Sequence, residues 1–357
     1  MKKIFRIIAL LCICVIPIWG RVSIPLNSEK ISYDGIWFAE KSAEKVILNR
    51  HSAELLSNPE SGISSSSLPY ACTQTGVKIR FKTKSKYVYL GFEDRQDAGK
   101  AGLHNAFNVY TDGVKYKTYE SLKFTIVSPK AGTQSVLYEI VLPSLYGVNF
   151  IALSLDDGYE LEEIFPLNKP VLTVIGTSIS HGTGQQSSSV DTYPYILSEN
   201  MNWELVNLAV AGAFTGWPVA QLVTGKKVDY IIVELGFNDW MWDNKTLSEK
   251  EIQYTRLIDT LRANQKDAKI FCITSITTTE TTPKMGAGFS LDDYRNMVIR
   301  TVKDRRKNGD MNIFVINGED MTSSDMLDDG VHLNVNGAKT FGNRLTTIIK
   351  KKLLSKK

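Results

Sequence analysis

Four short segments of this 357-residue chain carry side chains that can share one chemical task. Gly176-Thr177-Ser178-Ile179-Ser180-His181-Gly182 sets a serine on a glycine-flanked turn after an apolar run. A free serine hydroxyl is a poor nucleophile and needs a neighbouring base. Taken alone, Ser178 also reads as the cap of a helix. Asn207-Leu208-Ala209-Val210-Ala211-Gly212 ends on a glycine that lets the backbone approach a ligand and present an N–H, or that simply turns the chain. Gly236-Phe237-Asn238-Asp239 supplies an amide that can donate to a developing oxyanion. Taken alone, it also reads as a turn asparagine bonding its own backbone. Asp328-Asp329-Gly330-Val331-His332 puts an aspartate three residues before a histidine. A carboxylate so placed can orient an imidazole and stabilise its charged form while the imidazole takes a serine proton. The chain has four histidines, His51, His104, His181 and His332, and only His332 has an aspartate at this spacing.

The elements around these segments say how they would meet. Apolar strands are expected at Val171–Ile175, Glu204–Leu208, Tyr230–Leu235, Lys269–Thr274 and Asn312–Ile316. Helical stretches fall near Tyr193–Asn200, Trp217–Thr224, Glu249–Asn264, Leu291–Lys307 and Asn336–Leu353. Such alternation predicts a parallel sheet covered by helices on both faces. In such sheets the site lies at the carboxyl ends of the strands. Ser178, Gly212 and Asn238 each follow a strand, and the Asp329/His332 loop leads into the final helix.

Upstream, residues 21–168 read as strands with few helical periods. Val77, Ile79 and Phe81 alternate with Lys78, Arg80 and Lys82, the period of a half-buried strand. Tyr87–Gly91, Ala106–Tyr110, Tyr138–Leu142 and Phe150–Leu155 continue the series, and Asp112-Gly113 signals a hairpin. Many short strands with turns suggest a β-sandwich. Asn58–Ser67 reads as a loop, and the two prolines of Pro166–Pro170 as a linker.

The four blocks, in this order, make the C-terminal part resemble the SGNH hydrolases, also called GDSL esterases. The resemblance covers about residues 170–353. It implies a flavodoxin-like three-layer α/β fold for residues 169–357, preceded by an all-β sandwich. It assigns Ser178 as nucleophile, with Asp329 and His332 completing a triad. The N–H groups of Ser178 and Gly212 and the amide of Asn238 would form the oxyanion hole. Two positions depart from the family pattern: Thr177 replaces the usual aspartate, and Ala209 replaces the first glycine of the second block. The segments Arg80–Ser85 and Leu142–Val148 are similar to the jelly-roll domain that precedes bacterial SGNH esterases acting on polysaccharides. The implied function is a serine esterase cleaving acyl, foremost acetyl, esters on carbohydrate, with no metal or organic cofactor. Alternatives with the same site are a lipid or thioester hydrolase, or a sugar acyltransferase. A non-catalytic carbohydrate-binding protein is a different class.

Composition narrows the setting. Lys2, Lys3 and Arg6 precede the apolar run Ile7–Trp19, and Gly20 follows, the layout of a secretory signal peptide over residues 1–20. Export to the periplasm, the medium or the bacterial cell surface is the expectation. The run is short of the ~20 residues of a membrane span. Losing residues 1–20 lowers the formal charge from +4 to +1, which argues against a nucleic-acid partner. Gly176-Thr177-Ser178 completes neither a phosphate-binding loop nor a dinucleotide fingerprint. Beyond residue 20 the cysteines are Cys72 and Cys272, too few for a disulfide framework or a zinc site. Trp217, Trp240 and Trp242 follow strand ends and read either as a sugar platform or as buried residues. Trp240, two residues from Asn238, is the one expected to bind substrate, and His181, three residues beyond Ser178, is expected to line the pocket. Asp239 reads as a structural turn residue.

Overall fold

The computed structural model describes residues 20–100, 106–286 and 288–354. The expected leader thus lies outside the described residues except for Gly20, as does His104. Among the described residues no helix is long and apolar enough to cross a membrane.

The N-terminal part forms two six-stranded sheets. One runs in the order Phe38–Lys41, Val46–Asn49, Val148–Asp156, Tyr87–Asp94, Lys123–Val127, with Arg21–Ser23 added along Val148–Asp156. The other runs Leu161–Glu162, Lys78–Thr83, Val136–Val141, Phe107–Thr111, Val114–Tyr119, with Ser32–Asp34 on Lys78–Thr83. The pairings are antiparallel, so each strand can bury one face and wet the other. Ile79 and Phe81 point into the core, where they meet Phe92, Phe107 and Phe150 from both sheets. Phe92 and Phe107 stack with ring centroids 4.5 Å apart. The Asp112-Gly113 turn has φ of +49° and +79°, the two positive angles of a type I′ hairpin.

The C-terminal part holds a five-stranded parallel sheet of Val171–Gly176, Glu204–Asn207, Tyr230–Glu234, Lys269–Ile273 and Ile313–Ile316. Numbered along the chain, their spatial order is 2-1-3-4-5, the flavodoxin-like arrangement. Both faces are covered, which is why the strands read as unbroken apolar runs. Val171, Ile175, Ile231, Val233, Ile270 and Cys272 face one core, against Tyr254, Leu257, Met297 and Val298 of helices Leu247–Asn264 and Leu291–Lys307. Leu172, Val174, Ile232, Phe271 and Ile273 face the other, against Leu197, Phe341, Leu345 and Ile349 of helices Tyr193–Met201 and Val335–Leu354. Each such fully buried side chain contributes roughly 1.5–3 kcal/mol. Thr246 with Glu249, and Ser290 with Asp293, form capping boxes that start two of these helices. Trp217–Val223, expected as helical, winds as 3₁₀ turns. Its second residue, Pro218, lacks an N–H, and a run of seven residues gains little from helix cooperativity.

In this strand order the chain passes from strand 1 to strand 2 on one side, then crosses to strand 3 on the other side of strand 1. That switch opens a crevice at their carboxyl ends. Ser178 follows strand 1, Gly212 follows strand 2 and Asn238 follows strand 3.

Candidate active site

Strand 1 ends in Gly176, where an added Cβ would clash with the Ser180 side chain, so only glycine fits. Thr177 is extended and precedes a single helical turn, Ser178–His181. The turn lifts Ser178 to the pocket floor with 7% of its surface exposed.

His332 Nε2 lies 2.8 Å from Ser178 Oγ, and His332 Nδ1 lies 2.7 Å from Asp329 Oδ2. The other carboxylate oxygen accepts the backbone N–H groups of Val331 at 3.0 Å and His332 at 2.8 Å. One oxygen therefore fixes the loop while the other fixes the ring. With Nδ1–H donating to Asp329, Nε2 keeps its lone pair for the serine proton. Partial burial alone would raise the Asp329 pKa. The backbone and ring hydrogen bonds from His332 outweigh it and hold the carboxyl below its usual range. The loop is tied down by the Gly330 carbonyl, which accepts Thr279 N–H and Thr278 Oγ1, both at 2.9 Å, and by the Gln185 amide donating to Leu333 O.

Gly212 has φ of +81° and faces Ser67, whose Cβ would be 3.3 Å from an added Cβ. Any other residue there is strained. Asn238 donates through Nδ2 to Ala213 O at 2.8 Å, so the amide plane is fixed with a second N–H still to give. Asp239 has the expected structural role. It is fully buried and accepts Thr215 N–H at 3.1 Å, Thr215 Oγ1 at 3.0 Å and Lys250 Nζ at 2.8 Å.

Beneath the serine turn lies Glu234, wholly buried at the end of strand 3. Its Oε2 accepts Thr177 N–H at 3.3 Å, Thr177 Oγ1 at 3.0 Å and Ser180 Oγ at 2.9 Å. Burial pushes its carboxyl up to about 7, against these three donors, which favour the charged form. Thr177, the departure from the family pattern, is thus one of its hydrogen-bond donors.

Ser178, Gly212, Asn238 and His332 line one cavity of about 360 Å³. Asp329 stands behind His332. Ser66, Ser67, Tyr70 and Leu145 of the N-terminal part complete the wall, with Thr183 and Ala211. Sequence reasoning missed these four. The serine run was read only as a loop, and nothing local marks Tyr70 or Leu145.

Two expected pocket residues lie elsewhere. Trp240 is 3% exposed and packs edge-on against Phe237, in a cluster with Met241 and Leu291. Its short helix turns that face inward, so it is core and not a sugar platform. Trp217 and Trp242 are also absent from the cavity wall. Trp217 donates to Glu60 and carries the Arg256 guanidinium over its ring, while Trp242 is exposed. His181 is wholly buried. Its Nδ1 accepts Ala211 N–H at 3.0 Å, and its Nε2 lies 2.9 Å from Ser144 O and 2.8 Å from Thr73 Oγ1. Burial and the Arg50 charge lower its pKa well below the ordinary value, so the ring is neutral and structural. Among the described residues no group of three or more His, Cys, Asp or Glu could hold a metal ion.

Residues 174–340 match the GDSL-like Lipase/Acylhydrolase family. Over 293 residues the chain is 23% identical to cellulase/esterase CelE of Acetivibrio thermocellus, covering 71% of this chain and 35% of that protein. It thus spans about a third of that relative's length. The fold is similar to that of the salicylyl-acyltransferase SsfX3 from a tetracycline biosynthetic pathway. There the TM-score is 0.78 at 19% identity over 93% of this chain and 98% of that one. It is also similar to a family two carbohydrate esterase from Clostridium thermocellum in complex with cellohexaose. In that case the TM-score is 0.62 at 20% identity over 79% of this chain and 94% of the other.

Proposed function

We propose that this protein, whose residues 174–340 form a domain of the GDSL-like lipase/acylhydrolase family, is a serine esterase that removes acyl groups, foremost acetyl, from carbohydrate. The carrying observation is the unbroken chain from Ser178 Oγ through the His332 ring to Asp329, at 2.8 and 2.7 Å.

Ser178 Oγ attacks the ester carbonyl carbon as His332 Nε2 takes its proton. Asp329 holds the ring and stabilises its positive charge. The negative oxygen of the tetrahedral intermediate receives the N–H groups of Ser178 and Gly212 and the free N–H of Asn238. The bond to the leaving alcohol then breaks, and that alcohol departs with the proton from His332. Water attacks the acyl-serine with His332 again as base, releasing the acid and restoring the serine. Every proton is handled by Ser178 and His332, so the cycle calls on no metal or organic cofactor.

Carbohydrate as the alcohol is supported by the resemblance to CelE and to the esterase bound to cellohexaose. The cavity open to solvent suits an ester carried on a larger molecule. The basic and apolar residues 1–20 support export to the periplasm or beyond, and fractionation of cells carrying the full chain tests it. The test of the chemistry is acetate release from p-nitrophenyl acetate and from a panel of acetylated polysaccharides. The wild type should release acetate, and Ser178→Ala should release none above the uncatalysed rate. Turnover by Ser178→Ala at the wild-type rate would refute the mechanism.

A second reading follows from the likeness to SsfX3: the acyl-serine passes its acyl group to a sugar hydroxyl instead of water. Product analysis with an added acceptor sugar separates the two. An acylated sugar formed at the expense of free acid favours transfer.

A further inference from the structure

Arg50 is 1% exposed, and all five of its N–H groups end on carbonyl or hydroxyl oxygens. Nε donates to Thr73 O at 2.7 Å. Nη1 donates to Asn207 O at 2.8 Å and Ala209 O at 2.7 Å. Nη2 donates to Tyr70 O at 2.9 Å and Thr73 Oγ1 at 3.4 Å. The next residue, His51, has ring nitrogens 3.1 Å from Ala71 O and 3.0 Å from Leu208 O. Two consecutive residues of the N-terminal part thus engage three consecutive carbonyls, Asn207, Leu208 and Ala209, where strand 2 gives way to the Gly212 turn. Their other contacts hold Tyr70, Ala71 and Thr73, beside the pocket residues Ser67 and Tyr70.

The path onward is short. The Ala209 carbonyl is held by Arg50. In the very next peptide, Ala211 N–H is held by His181, itself locked by Thr73 and Ser144. The following peptide presents the N–H of Gly212. We propose that Arg50, with His51 beside it, is a positioning residue for the oxyanion hole, setting the direction of the Gly212 N–H from across the junction between the two parts of the chain. This rests on the serine-esterase reading of the site. A planar fork of five donors is needed to reach carbonyls on both sides at once, and lysine, with three donors on one atom, cannot do so. An oxyanion donor acts only when aimed at the transition-state oxygen, so a small misdirection is felt in turnover and little in substrate binding.

The test uses the full chain with Arg50→Lys, and His51→Gln as a milder variant losing its geometry toward one carbonyl of the three. Active sites are titrated by the burst from p-nitrophenyl acetate, so that turnover is counted per competent site. Arg50→Lys should lower kcat about 10- to 100-fold, part of the loss seen when a whole donor is removed, with KM within about threefold. It should weaken a boronic acid, which forms a tetrahedral adduct on the serine, by the same factor. A merely structural role lowers the melting temperature and the titrated fraction but leaves kcat per site and boronate affinity unchanged. That result, in whichever of the two variants folds, overturns the proposal. Ser178→Ala in the same assay keeps the readings apart. If it is inactive while Arg50→Lys and His51→Gln turn over normally, only the positioning role fails. If it retains activity, the esterase mechanism itself fails.

Discussion

The pocket has two walls of different origin. One is built at the carboxyl ends of the parallel strands and holds Ser178, Gly212, Asn238 and His332. The other comes from the antiparallel part and holds Ser66, Ser67, Tyr70 and Leu145. The first wall has every group that can move a proton or receive a charge. The second presents hydroxyls, an aromatic ring and an aliphatic side chain, and no carboxylate or imidazole. On the proposed reading, chemistry belongs to one wall and recognition to the other, with Arg50 and His51 as the join.

Four substitutions can break or sharpen that division. His332→Ala should have the largest effect, lowering kcat by about 10⁴- to 10⁶-fold while the fold persists, because Ser178 loses its base. Steady-state kinetics at saturating ester, with circular dichroism as a control, measures it. A loss below tenfold would take the base away from this wall. Asn238→Ala should cost about 10²- to 10³-fold in kcat with KM little changed, the signature of a donor used in the transition state. An effect on KM alone would move Asn238 into recognition.

Glu234→Gln should act on stability. In the unfolded chain this carboxyl ionises near 4.5, and in the folded protein burial pushes it up to about 7. Between these values the folded state binds the proton and the unfolded state does not, so stability falls as pH rises from about 4.5 to 7 and levels off above. The contribution is roughly 3 kcal/mol across that window. Urea unfolding at a series of pH values should show the slope in the wild type, reduced in Glu234→Gln. An unchanged slope would mean the carboxyl titrates elsewhere. Smallest is Tyr70→Ala, which should raise KM for sugar esters by about three- to tenfold with kcat within about twofold. A loss confined to kcat would erase the distinction between the walls.

The same division separates what could be read from the sequence and what could not. The five parallel strands were legible because both faces of each are buried, which leaves unbroken apolar runs such as Ile270–Ile273. The Asp112-Gly113 hairpin was legible because its two positive φ angles suit those residues. That Ser178, Gly212, Asn238 and His332 share one cavity, with Asp329 bonded to His332, was legible because each sits in a short block whose order carries information. Tyr70 and Leu145 were not, since they enter the pocket through packing between distant segments, and no local pattern reports that. Arg50 was hidden for the same reason: in a single sequence a buried arginine bonded to carbonyls looks like any solvated one. Trp240 and His181 were misjudged because a turn of five or four residues is too short to show which face is buried.

The central claim is that Ser178 is a nucleophile activated by His332. It is tested most directly by treating the protein with a fluorophosphonate, which labels activated serines, and mapping the adduct by peptide mass spectrometry. The account predicts a single adduct on Ser178, parallel loss of acetate release, and almost no labelling in His332→Ala. An adduct on another serine, or full acetate release from protein labelled at Ser178, would contradict it.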